Sequence, residues 1–180
     1  GSDSAFLLGA IRYLIEHDRI QHEYVRHYTN ASMIVREDYD FDEGLFSGFD
    51  PQKRQYDKTS WNYELDANGL ARRDDTWNHP RCVWNLLKQH VERYTPELVN
   101  RLCGTSLHDF QRICELLAST SAANRTATIL YALGWTHHTT GAQTIRAAAM
   151  LQLLLGNIGM AGGGVNALRG HSNIQGYTCL

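Results

Sequence analysis

Residues 157–176, NIGMAGGGVNALRGHSNIQG, have the composition expected of a segment that holds a large anionic ligand. Six glycines and one arginine occur within these twenty residues. Glycine allows positive φ angles and lets the backbone approach a ligand closely. Arginine carries a permanent charge and a planar set of donors that suits carboxylates and phosphates. A helix stop followed by a flexible loop has a similar composition, so the glycines alone leave both interpretations open.

A second candidate site follows residues 126–133, TATILYAL, whose β-branched and apolar side chains are typical of a buried parallel strand. The next four residues are Gly134, Trp135, Thr136 and His137. In open α/β sheets, ligands lie at the carboxyl ends of the strands, and the amide groups of a following helix favour phosphate. The segment has neither G-x-G-x-x-G nor the P-loop pattern, so this signal is weak. An exposed polar loop is the alternative at His137 and His138.

Helices must position these two segments, because apolar residues recur at helical spacing through much of the chain. This spacing predicts helices over residues 4–17, 21–28, 79–94 and 141–155, with Pro80 in the first turn of the third. Two shorter helices are predicted from residues that typically start and stop helices. Thr95 and Ser106 can each accept a backbone hydrogen bond at a helix start, and Gly104 suits the stop between them.

The middle of the chain, residues 36–78, is polar and rich in Asp and Gly, but it also carries spaced aromatic residues. This composition indicates an ordered excursion, because disordered linkers are poor in aromatic residues. Asn68-Gly69 between two short runs predicts a β-hairpin. The aromatic side chains either pack on one another or form a partner-binding surface. The chain thus divides into a helical segment (1–35), this aromatic-rich excursion (36–78), and helices with the strand–loop–helix segment (79–180).

Charge and composition exclude several classes of function. A net charge of −2 leaves no basic footprint for nucleic acid. The four cysteines, Cys82, Cys103, Cys114 and Cys179, form no C-x-x-C pair, and none of the nine histidines lies at metal-ligand spacing. We therefore expect no metal site in this chain, and we expect buried free thiols. No apolar run is long enough to span a membrane, and no targeting segment is recognisable.

The chain resembles the catalytic subunit of membrane-associated respiratory formate dehydrogenases. The resemblance rests on EYVRHYTNAS, GLFSGFDPQKRQYDKTSWNYELDANG, HPRCVWNLLK and GMAGGGVNALRGHSNIQG, in that order. Such enzymes are molybdopterin oxidoreductases of the dimethyl sulfoxide reductase family, and they carry molybdenum or tungsten on two pterin guanine dinucleotides. The resemblance implies that the chain is an internal fragment of that subunit. It also implies an α/β fold, a helix-rich part of the αβα, Rossmann-like layers, in which the excursion forms an irregular hairpin.

The same resemblance implies roles for individual residues. Arg169 would be the catalytic arginine that holds formate beside the metal. The implied cofactor-binding residues are Gly134, Trp135, Thr136, His137, Gly164, Asn166, Gly170, His171, Asn173 and Gln175. His137 stands where the family has glutamine, and an imidazole lacks the amide's paired donor and acceptor. The family's metal ligand, a selenocysteine or cysteine, and the cysteines of its 4Fe-4S cluster lie upstream, outside this chain.

Partners and location follow from the resemblance as well. In the resembled complexes, electrons from formate pass to an iron–sulfur electron-transfer subunit and a membrane cytochrome subunit, on the periplasmic side of the bacterial inner membrane. This arrangement implies a role in anaerobic respiration, while the fragment alone is expected to be inactive. Two alternatives stay open. One is another molybdopterin oxidoreductase of the nitrate reductase type, and the other is a structural fragment with no activity of its own.

Overall fold

The computed structural model describes residues 1–42, 44–168 and 170. The helices are α1 (Asp3–Glu16), α2 (His22–Tyr28), α3 (Val83–Val91), α4 (Pro96–Cys103), α5 (Leu107–Ala118), α6 (Leu133–Thr136) and α7 (Gly141–Leu154). The strands are β1 (Phe41–Asp42), β2 (Leu45–Phe46), β3 (Phe49–Asp50), β4 (Gln55–Tyr56), β5 (Thr128–Tyr131) and β6 (Gly164–Ala167). The chain forms two compact units, Gly1–Val25 with Val91–Leu180, and Arg26–His90. No helix of the described residues is long and apolar enough to cross a membrane.

The core of the first unit is made by α1 packing against α4, α5 and α7. Ile11 and Leu14 of α1 are fully buried, as their helical spacing along one apolar face predicts. Helix α7 contributes Ala148 and Leu151 to the interior of the same unit. Burying one large aliphatic side chain contributes about 2 kcal/mol. This core therefore holds α7, and with it the segments at its two ends.

Both predicted helix caps are confirmed. Thr95 Oγ1 accepts a hydrogen bond from Leu98 N at 3.2 Å, and Ser106 Oγ accepts one from Asp109 N at 3.0 Å. Gly104 ends α4 with a φ of 72°, a left-handed conformation that glycine adopts without steric cost. These ends are local features of the sequence, which is why they were predictable.

Helix α3 begins later than the sequence predicts. It starts at Val83 rather than at residue 79, so Pro80 lies before its first turn. Side chains satisfy the backbone just before the helix. His79 N donates to Asp74 Oδ2 at 2.7 Å, and Asn85 Nδ2 donates to His79 O at 2.9 Å. Such side-chain to backbone bonds stabilise a turn at the expense of an additional helical turn.

The second unit is built from short strands and isolated bridges. β1 pairs with β2 and β3 pairs with β4, both antiparallel. Ile34 pairs with Cys82, and Val35 pairs with Tyr63. Because Ile34, Val35 and Cys82 are buried, these bridges lie at the core of the unit.

The hairpin predicted at Asn68-Gly69 is confirmed. Leu65 and Ala71 form an antiparallel bridge, and Asp66 N donates to Leu70 O at 2.8 Å. Gly69 has a φ of 78°, which this turn requires and glycine allows.

The aromatic residues of the excursion pack on one another. Trp61 lies among them, with its ring centroid 5.2 Å from that of Phe46 and 5.2 Å from that of Tyr56. The indole N–H of Trp61 donates to Ser47 O at 2.9 Å. The first of the two interpretations of these aromatic residues, local packing, is therefore observed.

Candidate functional site

Strands β5 and β6 form a parallel pair in which Tyr131 lies opposite Ala167. Leu168 N extends the pairing by donating to Tyr131 O at 2.7 Å. Since the strands are parallel, the chain leaves both of them at the same edge. Residues 132–140 follow β5 there, and Leu168 and Gly170 follow β6. The fold thus brings parts of the two candidate segments to one edge.

Strand β5 is parallel, as predicted, but it is not buried as predicted. Exposed and half-buried positions alternate along it, and Leu130 is 56% exposed. Leu133 starts α6 instead of ending the strand. Within the described residues β5 pairs with β6 alone. Strand pairing covers an edge of β5 and neither of its faces, so apolar positions of β5 stay accessible to solvent.

The amino ends of the two strands are joined by a side chain that the sequence did not single out as functional. Gln152 of α7 is fully buried. Its Nε2 donates to Ala127 O at 2.8 Å, just before β5, and to Gly164 O at 2.9 Å, at the start of β6. The available signal was a polar residue within the apolar run of residues 151–155. Gln152 therefore holds the amino ends of β5 and β6 together, at the end of the strand pair opposite the candidate edge.

Four predicted cofactor-binding residues follow β5 in or beside α6. Gly134, Thr136 and His137 are exposed, and Trp135 is half-buried. A Cβ atom built on Gly134 meets no other atom within 4 Å, so the backbone there is open to a ligand. Trp135 stacks on Tyr131, with 5.6 Å between the ring centroids and 17° between the planes. The indole is therefore held against the last residue of β5.

The N-terminus of α7 lies directly beside this segment. A side chain at Gly141 would collide with the carbonyl oxygen of Trp135 and would press on Thr136. Thr140 occupies the N-cap position, but its side chain makes no capping hydrogen bond. The first turn of a long helix presents backbone N–H groups and the positive end of the helix dipole, which favours an anion. The first turn of α7 therefore lies beside α6, where the backbone at Gly134 is uncovered.

The other described cofactor-binding candidates are divided between the two ends of the strand pair. Gly164 starts β6 opposite Thr128, at the end away from α6. Asn166 lies within β6, and its Nδ2 donates to Thr128 Oγ1 at 2.6 Å. Gly170 follows the carboxyl end of β6 and is exposed. The structure thus brings Gly170 and the α6 segment to the same edge, and it places Gly164 at the opposite one.

Arg169, His171, Asn173 and Gln175 lie outside the described residues. The catalytic role of Arg169 and the cofactor-binding roles of the other three stay predictions.

Three proteins that match nearly the whole chain are all named formate dehydrogenase major subunits. No protein-family model matches the chain. Over 180 residues it is 68% identical to "Formate dehydrogenase, nitrate-inducible, major subunit" of Escherichia coli (strain K12), covering 100% of this chain and 18% of that protein. The chain is a close relative of formate dehydrogenase major subunits. It is 64% identical to "Formate dehydrogenase-O major subunit" of the same organism, again covering 100% of this chain and 18% of that protein.

A third formate dehydrogenase comes from another organism. "Formate dehydrogenase major subunit" of Haemophilus influenzae (strain ATCC 51907 / DSM 11121 / KW20 / Rd) is 59% identical over 178 residues, covering 99% of this chain and 17% of that protein. This chain therefore spans about a fifth of the length of these formate dehydrogenase subunits. Because all three relatives are formate dehydrogenase subunits, the nitrate reductase-like alternative is not favoured.

Among the described residues of this chain, no group of three or more His, Cys, Asp or Glu residues could hold a metal ion. Cys82, Cys103 and Cys114 are free thiols. Burial raises the pKa of Cys114 to about 12 and also raises the pKa of Cys82. Buried thiols with raised pKa values are inert, since the thiolate is the form that binds metals and reacts.

The described residues after β5 offer groups of the kind that bind an anion. Gly134 leaves the backbone uncovered, and Thr136 offers an exposed hydroxyl group. The start of α7 supplies amide donors beside them. A hydroxyl group and a helix start beside uncovered backbone are features that suit a phosphate or diphosphate group.

Proposed function

We propose that this chain is part of the catalytic subunit of a formate dehydrogenase, which oxidises formate to carbon dioxide and passes two electrons to an iron–sulfur relay. The observation that carries the proposal is the 68% identity to a formate dehydrogenase major subunit over the whole chain. Catalysis belongs to the complete subunit, so the chain alone should be inactive. Formate-dependent dye reduction by the purified chain would contradict that expectation.

The chain's proposed contribution is one wall of the cofactor site. The parallel pairing of β5 and β6 supports this role, because it places the α6 segment and the residues after β6 at one edge. The cofactor would be molybdenum or tungsten on two pterin guanine dinucleotides, and when bound it would accept the two electrons of formate oxidation. Gly134 and Thr136 would bind a phosphate-bearing part of it. Arg169 would hold the formate carboxylate, for which its permanent charge and planar donors suit it.

The proposed fold is a fragment of αβα, Rossmann-like layers. A parallel pair with a helical connection through α7 is the unit from which such layers are built. Parallel sheets are normally covered on both faces. The exposed Leu130 of β5 and Leu168 after β6 are therefore proposed to be covered by other parts of the subunit.

The proposed partners are those of a respiratory complex. They are an iron–sulfur electron-transfer subunit and a membrane cytochrome subunit, with a 4Fe-4S cluster bound by the catalytic subunit outside this chain. The phrase "major subunit" in the relatives' names supports at least one further subunit. The periplasmic side of the inner membrane is the proposed location.

The cofactor role is tested by Gly134→Leu in the complete subunit. A Cβ built there meets no atom of the chain within 4 Å apart from its immediate neighbours and its own helix turn, so the change should leave the fold of this chain intact. Ala123→Leu, at another exposed position, is the matched control. We expect Gly134→Leu to lower the bound molybdenum or tungsten and the pterin content at least about tenfold, the loss that follows from some 1.4 kcal/mol of weakened binding. Full cofactor content in a folded Gly134→Leu protein would contradict the proposed site.

A further inference from the structure

The first turn of α1 contacts the candidate cofactor segment although the two are far apart in the chain. Trp135 Nε1 donates to Asp3 Oδ1 at 3.3 Å, across 132 residues of sequence. On its ring face, the same indole stacks on Tyr131. Trp135 is thus fixed from two directions, by the last residue of β5 and by the first residue of α1.

A second contact joins α1 to the start of α7. Ser4 Oγ and Thr144 Oγ1 lie 2.6 Å apart. The Thr144 hydroxyl group donates to Thr140 O at 3.2 Å, and it has one hydrogen to give, so Ser4 is the donor to Thr144. Thr144 is buried, with 5% of its surface exposed. Thr140 O also accepts from Thr144 N at 3.0 Å, so Ser4 joins the N-cap turn of α7 to α1 through the Thr144 side chain.

Besides these two contacts, the segment is held by its own turn hydrogen bonds and by the close packing of Gly141 on Trp135 and Thr136. Helix α6 has four residues, none of them buried. An isolated single turn of helix is unstable in water, because helix formation needs a costly nucleus. Residues 132–140 should therefore keep their geometry through their anchors, which are the contacts of Trp135 and of the Thr140–Thr144 turn.

We propose that Asp3 and Ser4 are positioning residues that hold residues 134–140 in the geometry that binds the anionic cofactor. This inference rests on the cofactor role proposed above. Preorganised donors bind more tightly than mobile ones, because the entropy of ordering them has already been lost on folding. Neither residue needs to touch the cofactor for this effect. Removing either anchor should loosen cofactor binding while leaving the helical core intact.

The first experiment measures the anchor itself in this chain. Labelling with 5-fluorotryptophan gives one ¹⁹F signal for each of the four tryptophans, and Trp135→Phe assigns the signal of Trp135. Asp3→Leu removes the acceptor and should shift or broaden that signal alone. Asp3→Asn keeps an acceptor oxygen and should restore it. Asp109→Leu, which removes the matching acidic residue from the first turn of α5, is the control and should leave it unchanged.

The second experiment measures cofactor retention in the complete subunit. We expect Asp3→Leu and Ser4→Ala each to speed the release of metal and pterin several-fold, with Asp3→Asn and Ser4→Thr close to wild type. Wild-type release in Asp3→Leu and Ser4→Ala would overturn the inference, and so would an unchanged Trp135 signal in Asp3→Leu. If Gly134→Leu keeps its cofactor, the proposed site itself is wrong, whereas the ¹⁹F spectra still decide whether Asp3 fixes Trp135.

Discussion

Gln152 and Asn157 share a fully buried hydrogen bond, in which Asn157 Nδ2 donates to Gln152 Oε1 at 2.7 Å. Both side chains are 0% exposed. The bond leaves the Gln152 amide hydrogens free to reach the amino ends of both strands of the parallel pair. One side chain of α7 thereby links the helix end, the turn after it and the two strands. The candidate site at the far end of the strands depends on this spacing.

Replacing Gln152 by leucine should destabilise the chain by roughly 1–3 kcal/mol, because the half-buried Ala127 and Gly164 carbonyl oxygens each lose a donor and the buried Asn157 amide loses an acceptor. The measurement is equilibrium unfolding in urea. Gln143→Leu is the matched control, since Gln143 lies on the same helix and is exposed. A Gln152→Leu protein as stable as Gln143→Leu would show that the carbonyl oxygens find other donors.

Gly9→Ala should destabilise the chain by about 1 kcal/mol even though alanine favours helices. The added Cβ would lie 2.5 Å from Val99 Cγ2 and 3.2 Å from Phe110 Cζ. Overpacking of this kind costs about 1–3 kcal/mol, which exceeds the roughly 1 kcal/mol gained in helix propensity. In thermal unfolding, Gly9→Ala combined with Val99→Ala should be more stable than the sum of the two single changes predicts. Strict additivity would argue against a clash at this position.

The described cysteines should differ in reactivity according to burial. Cys103 is partly exposed, whereas Cys82 and Cys114 are buried. With the pKa of Cys114 raised to about 12 by burial, about one molecule in ten thousand carries that thiolate at pH 8. Peptide mapping after brief iodoacetamide treatment should therefore find Cys103 alkylated long before Cys114. Equal rates under native conditions would mean that α5 opens on the timescale of the reaction.

Acid should weaken the turn that precedes α3. Hydrogen bonds from the Thr76 hydroxyl group and the His79 backbone N–H lower the pKa of Asp74 from 3.8 to about 2. The carboxylate stabilises the fold above about pH 4, and this contribution is lost as the pH falls through about 2. Thr76→Val should raise the pKa of Asp74 toward its ordinary value in a carbon-13 NMR titration. An unchanged titration would show that the Thr76 hydroxyl group is not the main cause.

What the sequence predicted correctly was mostly local. Helix spacing, the caps Thr95 and Ser106, and the turn at Gly69 each depend on a few neighbouring residues. The start of α3 was missed because Asp74 and Asn85 bind the backbone before it, and such competition is not visible in apolar periodicity.

The candidate site depended on contacts between distant parts of the chain. The parallel pairing of β5 with β6 and the reach of Asp3 to Trp135 join segments that no spacing rule connects. The division of Gly164 and Gly134 between opposite ends of the strand pair also required the register. The sequence had placed them in two separate candidate segments, and the resemblance implied a cofactor-binding role for both without showing how the segments meet.

Arg169→Lys in the complete subunit tests the substrate role that the resemblance to formate dehydrogenases implies for this residue. Lysine keeps the positive charge but loses the planar pair of donors that matches a carboxylate. A lost charge-assisted hydrogen bond of roughly 2–3 kcal/mol in the transition state should slow formate turnover by about one to two orders of magnitude. Metal and pterin content, measured in the same preparation, should stay near wild type. Full turnover in the variant would place the substrate-binding cation elsewhere, and complete loss of cofactor would make Arg169 a cofactor anchor instead.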